Sequence, residues 1–231
     1  MCRLYGFRAT EPTKVECTLV HAQNALIVQS REDSTGGEHA HGWGIATFEN
    51  HVPRRDRMAW AAYSDEHFHR AAARVYSKTV IAHVRRATSG EVALRNTHPF
   101  THDQWTFAHN GTLPGFEDGV RAHLLDATSP EHRAAIEGET DSEHIFRFLL
   151  SAIDRHPRTD LVDVVTVGLG EIVRWCEEVA DPEKVGLNVL LTDGERLVGS
   201  RWGRKGPVAL GLALLGTSCL GFAFATSESP P

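Results

Sequence analysis

The sequence predicts an α+β fold, and three observations carry that expectation. Strand-like and helix-like runs come in blocks instead of strict β-α-β alternation, a capping-box signature opens a long helix near residue 140, and an Asp-Gly turn near residue 193 joins two apolar runs. At 231 residues the chain has the length of one large domain or at most two small ones. No repeat and no Pro/Gly/Ser-rich linker divides it, so one domain is expected through about residue 200.

In order along the chain, Leu19, Leu26, Ile27 and Val28 read as short strand segments, followed by a strand at Gly44-Ile45-Ala46-Thr47-Phe48. Residues 65–77 read as helical. The runs Thr79-Val80-Ile81-Ala82-His83-Val84 and Trp105-Thr106-Phe107-Ala108-His109 are strands ending in polar clusters, where chemistry often sits. Thr140-Asp141-Ser142-Glu143 has the Ser/Thr-x-x-Glu form of a capping box and precedes Ile145, Leu149 and Ile153 at spacing four, so a helix starts there. A second helix carries Val165, Leu169, Ile172, Cys176 and Val179 on one face. Asn188-Val189-Leu190-Leu191, Asp193-Gly194 and Leu197-Val198 then form a β-hairpin, because Asp-Gly tolerates the positive φ angles of a tight turn. From Gly206 to Ser227 there is no charged residue. That tract is long enough for a membrane span, yet its five glycines and prolines and several Ser/Thr dilute its hydrophobicity, so a buried or irregular C-terminus is expected.

Composition narrows the function classes. The chain is 41% hydrophobic and 23% charged, within the globular range, which argues against disorder. Its 24 Lys+Arg against 30 Asp+Glu give a net charge of -6 with no basic stripe, so no nucleic-acid partner is expected. Cysteines at 2, 17, 176 and 219 form no Cys-x-x-Cys pair and follow no secretory signal, which fits a reducing cytoplasm better than a disulfide scaffold or zinc cage. The 14 histidines include the near pairs His39/His41, His67/His69 and His98/His102, but none has His-Glu-x-x-His or other zinc-site spacing, so no metal is expected.

Cys2 is the first candidate for chemistry. A thiol attacks only as thiolate, and removal of Met1 would place a free α-amine, a base near neutrality, on the same residue. Read alone, Cys2 is more often an arbitrary second residue, and the other segments must decide it. His83-Val84-Arg85-Arg86-Ala87-Thr88-Ser89-Gly90 offers guanidinium forks and a hydroxyl suited to a carboxylate, or else a solvated basic turn. Asn110-Gly111 is either a hairpin turn or the pair of donors, side-chain amide and backbone N–H, that an oxyanion requires. Asp141 complements a helix dipole or holds a substrate ammonium group.

Together these residues resemble the class II glutamine amidotransferases of the N-terminal nucleophile hydrolase group. The resemblance covers roughly residues 2–200 and is carried, in order, by Met1-Cys2 with Arg3-Leu4-Tyr5-Gly6, His41-Gly42-Trp43-Gly44-Ile45, residues 83–90, Asn96-Thr97-His98-Pro99-Phe100, Ala108-His109-Asn110-Gly111 and Gly138-Glu139-Thr140-Asp141-Ser142-Glu143. It is closest to stand-alone members lacking a synthase domain. It implies a four-layer α/β/β/α sandwich, with residues 1–204 as the amidotransferase domain and 205–231 as an atypical apolar tail. It also implies roles: Cys2 as nucleophile, Asn110 and Gly111 as oxyanion donors, Arg85 and Thr88 on the substrate α-carboxylate, and Asp141 on its α-ammonium. No cofactor is required for such chemistry, and glutamine or a small γ-glutamyl compound is the expected partner, with a separate synthase as a candidate acceptor of the ammonia. Arg86 and Ser89 stand where many members have an aromatic residue and a His, and His41 where close relatives often have an Asp. Two rivals on the same fold are a γ-glutamyl amide hydrolase of an ergothioneine-type pathway and a binding protein without activity.

Overall fold

The computed structural model describes residues 2–31, 38–203, 206–207 and 220–224. Strands β1 (Arg3–Lys14), β2 (Trp43–Glu49), β3 (Val52–Met58) and β4 (Tyr76–Val84) enclose two helices, α1 (Leu26–Arg31) and α2 (Glu66–Arg74). Then come β5 (Phe100–His102), β6 (Trp105–Asn110), α3 (Arg121–Ala127), α4 (Pro130–Ala134), α5 (Asp141–Arg155), α6 (Leu161–Val179), β7 (Asn188–Thr192) and β8 (Leu197–Ser200). The short pair β9 (Trp202–Gly203) and β10 (Gly206–Pro207) precedes β11 (Leu220–Phe224). One antiparallel sheet has the order β11-β1-β4-β2-β3 and the other β5-β6-β7-β8.

Side-chain alternation turns these sheets into four layers. On β1 and β4, Tyr5, Phe7, Val80, Ala82 and Val84 pack outward with Leu26, Ile27, Phe68 and Ala72 from α1 and α2. The intervening positions Leu4 and Ile81 meet Ala108, Leu190 and Leu197 of the second sheet. That central layer is thin because small residues let the sheets approach: a Cβ on Gly6 would lie 2.5 Å from a Leu190 methyl. The other face of the second sheet, with Phe107, Val189, Leu191 and Val198, is covered by α3, α5 and α6. The Phe107 and Phe146 rings stack there at 5.3 Å, and each fully buried Phe or Leu contributes about 1.5–3 kcal/mol.

The capping expectation holds in part. Thr140 caps α5 by accepting a hydrogen bond from the Glu143 N–H, but the Glu143 carboxylate does not close the box. It accepts instead from the N–H groups of Glu137 (3.0 Å) and Gly138 (2.7 Å), bracing the segment that leads into the helix. Gly194 takes φ +92° in the β7–β8 hairpin, as Asp193-Gly194 predicts.

Several expectations are corrected. Leu19 lies in a single wide helical turn, Cys17–His21, and Leu26, Ile27 and Val28 belong to α1, not to strands. Leu19, Leu26 and Ile27 seal the outer face of the first sheet while Val28 stays exposed, so one-sided packing overrides β-branched propensity. The helix expected over residues 65–77 stops at Arg74, and Tyr76 and Ser77 begin β4. Val179, expected on the buried face of α6, is exposed at its end, with methyls against the turn bearing Gly115 and Gly119. Asn110-Gly111 is not a hairpin turn, because β6 pairs with β5 and β7 and the chain leaves it toward α3.

Two long strands went unread in the sequence, β1 and β3. Within the apolar tract 206–227, residues 220–224 form β11 along the free edge of β1, with Leu4 opposite Phe224 and Arg8 opposite Leu220. The rest of that tract, apart from 206–207, lies outside the described residues. Among the described residues no helix is long and apolar enough to cross a membrane.

Candidate active site

The site forms where three strands end together. Arg3 of β1 pairs with Val84 of β4, so Cys2 and Arg85, one residue beyond, come side by side. The Cys2 sulfur accepts from the Arg86 N–H at 3.3 Å and lies 3.4 Å from the Arg86 carbonyl oxygen, an acceptor for the thiol proton. From the facing sheet, the Asn110 Nδ2 at the end of β6 donates to the Cys2 carbonyl oxygen at 2.7 Å. Burial pushes the Cys2 thiol up, and the Arg86 N–H and the Arg85 charge oppose that shift. A thiol held in this way needs a base to become a nucleophile.

Asn110 and Gly111 are fixed from behind. Asn188, opposite Asn110 on β7, donates from Nδ2 to the Asn110 carbonyl oxygen at 2.9 Å. The Gly186 N–H donates to the Thr112 carbonyl oxygen at 3.0 Å. This pulls the two chain segments so close that a Cβ on Gly111 would stand 1.9 Å from the Gly186 oxygen. Glycine at 111 is therefore a steric requirement.

Arg85 is 3% exposed, and its guanidinium donates to the carbonyl oxygens of Ser89 (2.8 Å), Glu91 (3.0 Å) and Gly90 (3.5 Å). Burial pushes its pKa down, while Cys2, Asp141 and Glu139 act the other way. Arg85 thus shapes the turn that follows β4. Thr88 lies exposed on that turn, outside the buried cluster. His41 supports the turn from the other side, its Nδ1 accepting from the Ala87 N–H at 2.9 Å.

Asp141, the first residue of α5, is 6% exposed. Its Oδ1 accepts from the Ser142 N–H at 2.7 Å, and its Oδ2 accepts from the Leu113 N–H at 3.0 Å, tying the helix to the segment beyond Gly111. Cys2, Arg85, Asn110, Gly111 and Asp141 therefore lie together, and Thr88 lies at the margin. Ser142, Gly186 and Asn188 complete the arrangement. No sequence signal marks Gly186 or Asn188, because their part depends on the register between β6 and β7.

Behind the site, the His83 and His98 rings lie 4.3 Å apart between the sheets. Burial, reinforced by Arg85, pushes His83 down to about 3, and His98 also lies well below the ordinary imidazole value. Among the described residues no three His, Cys, Asp or Glu side chains are grouped to hold a metal ion.

The profile of the glutamine amidotransferases class-II matches residues 1–205. The chain belongs to the class-II glutamine amidotransferases. Among curated relatives, the protein YafJ of Escherichia coli (strain K12) is 32% identical over 202 residues, covering 84% of this chain and 70% of YafJ. The gamma-glutamyl-hercynylcysteine sulfoxide hydrolase of Mycobacterium tuberculosis (strain CDC 1551 / Oshkosh) is 32% identical over 208 residues, covering 88% of this chain and 77% of that protein. A solved glutamine aminotransferase class-II domain protein from Silicibacter pomeroyi superposes with a TM-score of 0.64 at 22% identity, covering 87% of this chain and 77% of the other. At that identity the likeness speaks for the shared sandwich. The family assignment stands on the residues 1–205 match and on YafJ.

Proposed function

We propose that this class-II amidotransferase hydrolyses the side-chain amide of glutamine to glutamate and ammonia, with Cys2 as nucleophile once removal of Met1 frees its α-amine. The observation that carries the reading is the hydrogen bond from the Asn110 side chain to the Cys2 carbonyl oxygen, beside the sterically enforced Gly111. The α-amine takes the thiol proton, and the sulfur adds to the amide carbon. Its carbonyl oxygen becomes an oxyanion facing the Asn110 amide and the Gly111 N–H, where each donor is worth about 3–4 kcal/mol. The protonated amine then returns its proton to the leaving nitrogen, the C–N bond breaks, and ammonia departs. Water attacks the γ-glutamyl thioester in the reverse sense, giving glutamate and the free thiol. Arg85 and Thr88 are assigned to the substrate α-carboxylate and Asp141 to the α-ammonium. The nucleophile and base being one residue, the chemistry calls for no cofactor.

The resemblance to the M. tuberculosis hydrolase supports a second reading, in which the leaving amine belongs to a small γ-glutamyl thiol compound. The same nucleophile and oxyanion donors serve it. Intact-protein mass spectrometry after incubation with a diazo-ketone analogue of glutamine tests both. Loss of Met1 and a single adduct absent from Cys2→Ala are expected. Retention of Met1 without an adduct, or glutamate release by Cys2→Ala at the wild-type rate, would reject the assignment.

A further inference from the structure

β6 sends neighbouring side chains to opposite faces. Asn110 reaches Cys2 in the first sheet, while His109, 2% exposed, turns toward α5. The His109 Nδ1 lies 2.9 Å from the Ser142 Oγ and its Nε2 lies 2.9 Å from the Gly186 carbonyl oxygen. The Ser142 Oγ is in turn 3.1 Å from the Asp141 Oδ1, while the Asp141 Oδ2 receives the Leu113 N–H. The Gly186 N–H bonds back to Thr112. A closed ring of hydrogen bonds therefore surrounds residues 111–113, and His109 is the only side chain in it that reaches both Gly186 and, through a hydroxyl, Asp141.

A carbonyl oxygen only accepts, so the His109 Nε2 carries the proton that meets Gly186. The Ser142 Oγ stands between the His109 Nδ1 and the Asp141 Oδ1, and the Ser142 N–H donates to that same carboxylate oxygen at 2.7 Å. The imidazole therefore fixes the residue that holds Asp141 through both its hydroxyl and its backbone.

We propose that His109 is a positioning residue for the substrate site. Bonded through both ring nitrogens, it orients Asp141 through Ser142 and holds the Gly186 carbonyl against Gly111. The inference rests on the reading of Asp141 as the ammonium site and of Asn110-Gly111 as the oxyanion donors. In that setting one imidazole sets both ends of the pocket, the carboxylate that receives the α-ammonium and the backbone that receives the oxyanion.

Two measurements on the full chain test it. In 15N-histidine-labelled protein at pH 7, with the signals assigned by loss in His109→Gln, the His109 ring is expected to carry a proton on Nε2, the nitrogen that faces the Gly186 carbonyl oxygen. A ring protonated on Nδ1 alone overturns the inference. The second compares turnover of glutamine with that of 4-carbamoylbutanoate, which lacks the α-ammonium. Ser142→Ala is expected to lower the kcat/KM preference for glutamine about tenfold, mainly through KM, because a hydrogen bond to a charged group is lost, and Ser142→Thr is expected to restore it. A preference unchanged in Ser142→Ala overturns the inference, since a merely structural defect would weaken both substrates alike. A wild-type enzyme that turns over neither compound, yet shows the Nε2 proton, would reject the glutamine reading and support the hold of His109 on Gly186.

Discussion

Acid should destabilise this protein through a pair of buried imidazoles. His83 is 0% exposed and His98 4% exposed, and their rings lie against one another between the sheets. In the unfolded chain His83 would titrate near 6.5, whereas in the folded protein burial first, and then the Arg85 charge, push it down to about 3. Between those values the unfolded state binds a proton that the native state refuses, so stability falls as pH falls, with nothing lost above 6.5 and the full loss reached below about 3. Each pH unit in that window costs about 1.4 kcal/mol, and the two units from 6.5 to 4.5 cost about 2.7 kcal/mol through His83 alone. His98 acts in the same direction.

The perturbation is His83→Leu, which keeps an apolar side chain between the sheets and removes the titrating group. Urea unfolding of wild type and variant at pH 7.0 and 4.5 gives four free energies. Whatever the substitution costs in packing cancels in the double difference. The wild type should lose about 2.7 kcal/mol more than the variant between the two pH values. Parallel pH dependences would refute the reasoning, for they would mean that His83 takes up a proton in the folded state.

The turn behind Asn110 and Gly111 makes two further predictions. Gly111→Ala places a Cβ 1.9 Å from the Gly186 oxygen and 2.7 Å from the His109 Nε2, so kcat for glutamine should fall by about 10²–10³ with a stability loss of about 1–3 kcal/mol. Gly186→Ala, whose Cβ meets the Gly111 Cα at 3.0 Å, should cost less on both counts, and equal activities of the two variants would contradict the geometry. Arg85→Ala should raise KM for glutamine and also lower the melting temperature, because its guanidinium bonds three carbonyls of the following turn. An unchanged KM would remove Arg85 from the site.

The fold was legible wherever a local signal coincided with burial. β4, β6, α5 and the 193–194 turn each carry alternation, a cap or a glycine that requires nothing from the rest of the chain. The strand β1 was not legible in the same way. Its run Arg3-Leu4-Tyr5-Gly6-Phe7-Arg8 includes two arginines and a glycine, and the glycine is there because Leu190 of the other sheet occupies the space a side chain would take. At Leu26 to Val28 the cause is the mirror image: Leu26 and Ile27 are held in a helix by the sheet face they cover, and the exposed Val28 follows them. Site residues divide along the same line. Cys2, Asn110 and Asp141 stand out by type and neighbourhood, whereas Gly186 and Asn188 matter only through the register of β6 against β7.

Register also explains why the site is where it is. Arg3 opposite Val84 brings Cys2 beside Arg85, and Asn110 opposite Asn188 halts β6 where its amide meets the carbonyl of Cys2. Each polar group stands at or just beyond the last paired residue of a strand, so backbone that the ladders no longer use is turned to other work: the Arg86 N–H holds the sulfur, and the Leu113 N–H holds Asp141. A slip of one residue in β6 against β7 would send His109 toward Cys2 and Asn110 toward Ser142. The pairing that builds the core of the sandwich therefore also decides which side chain reaches the Cys2 carbonyl and which stands beside the helix, and the site cannot be moved along the strands without turning the sheet inside out.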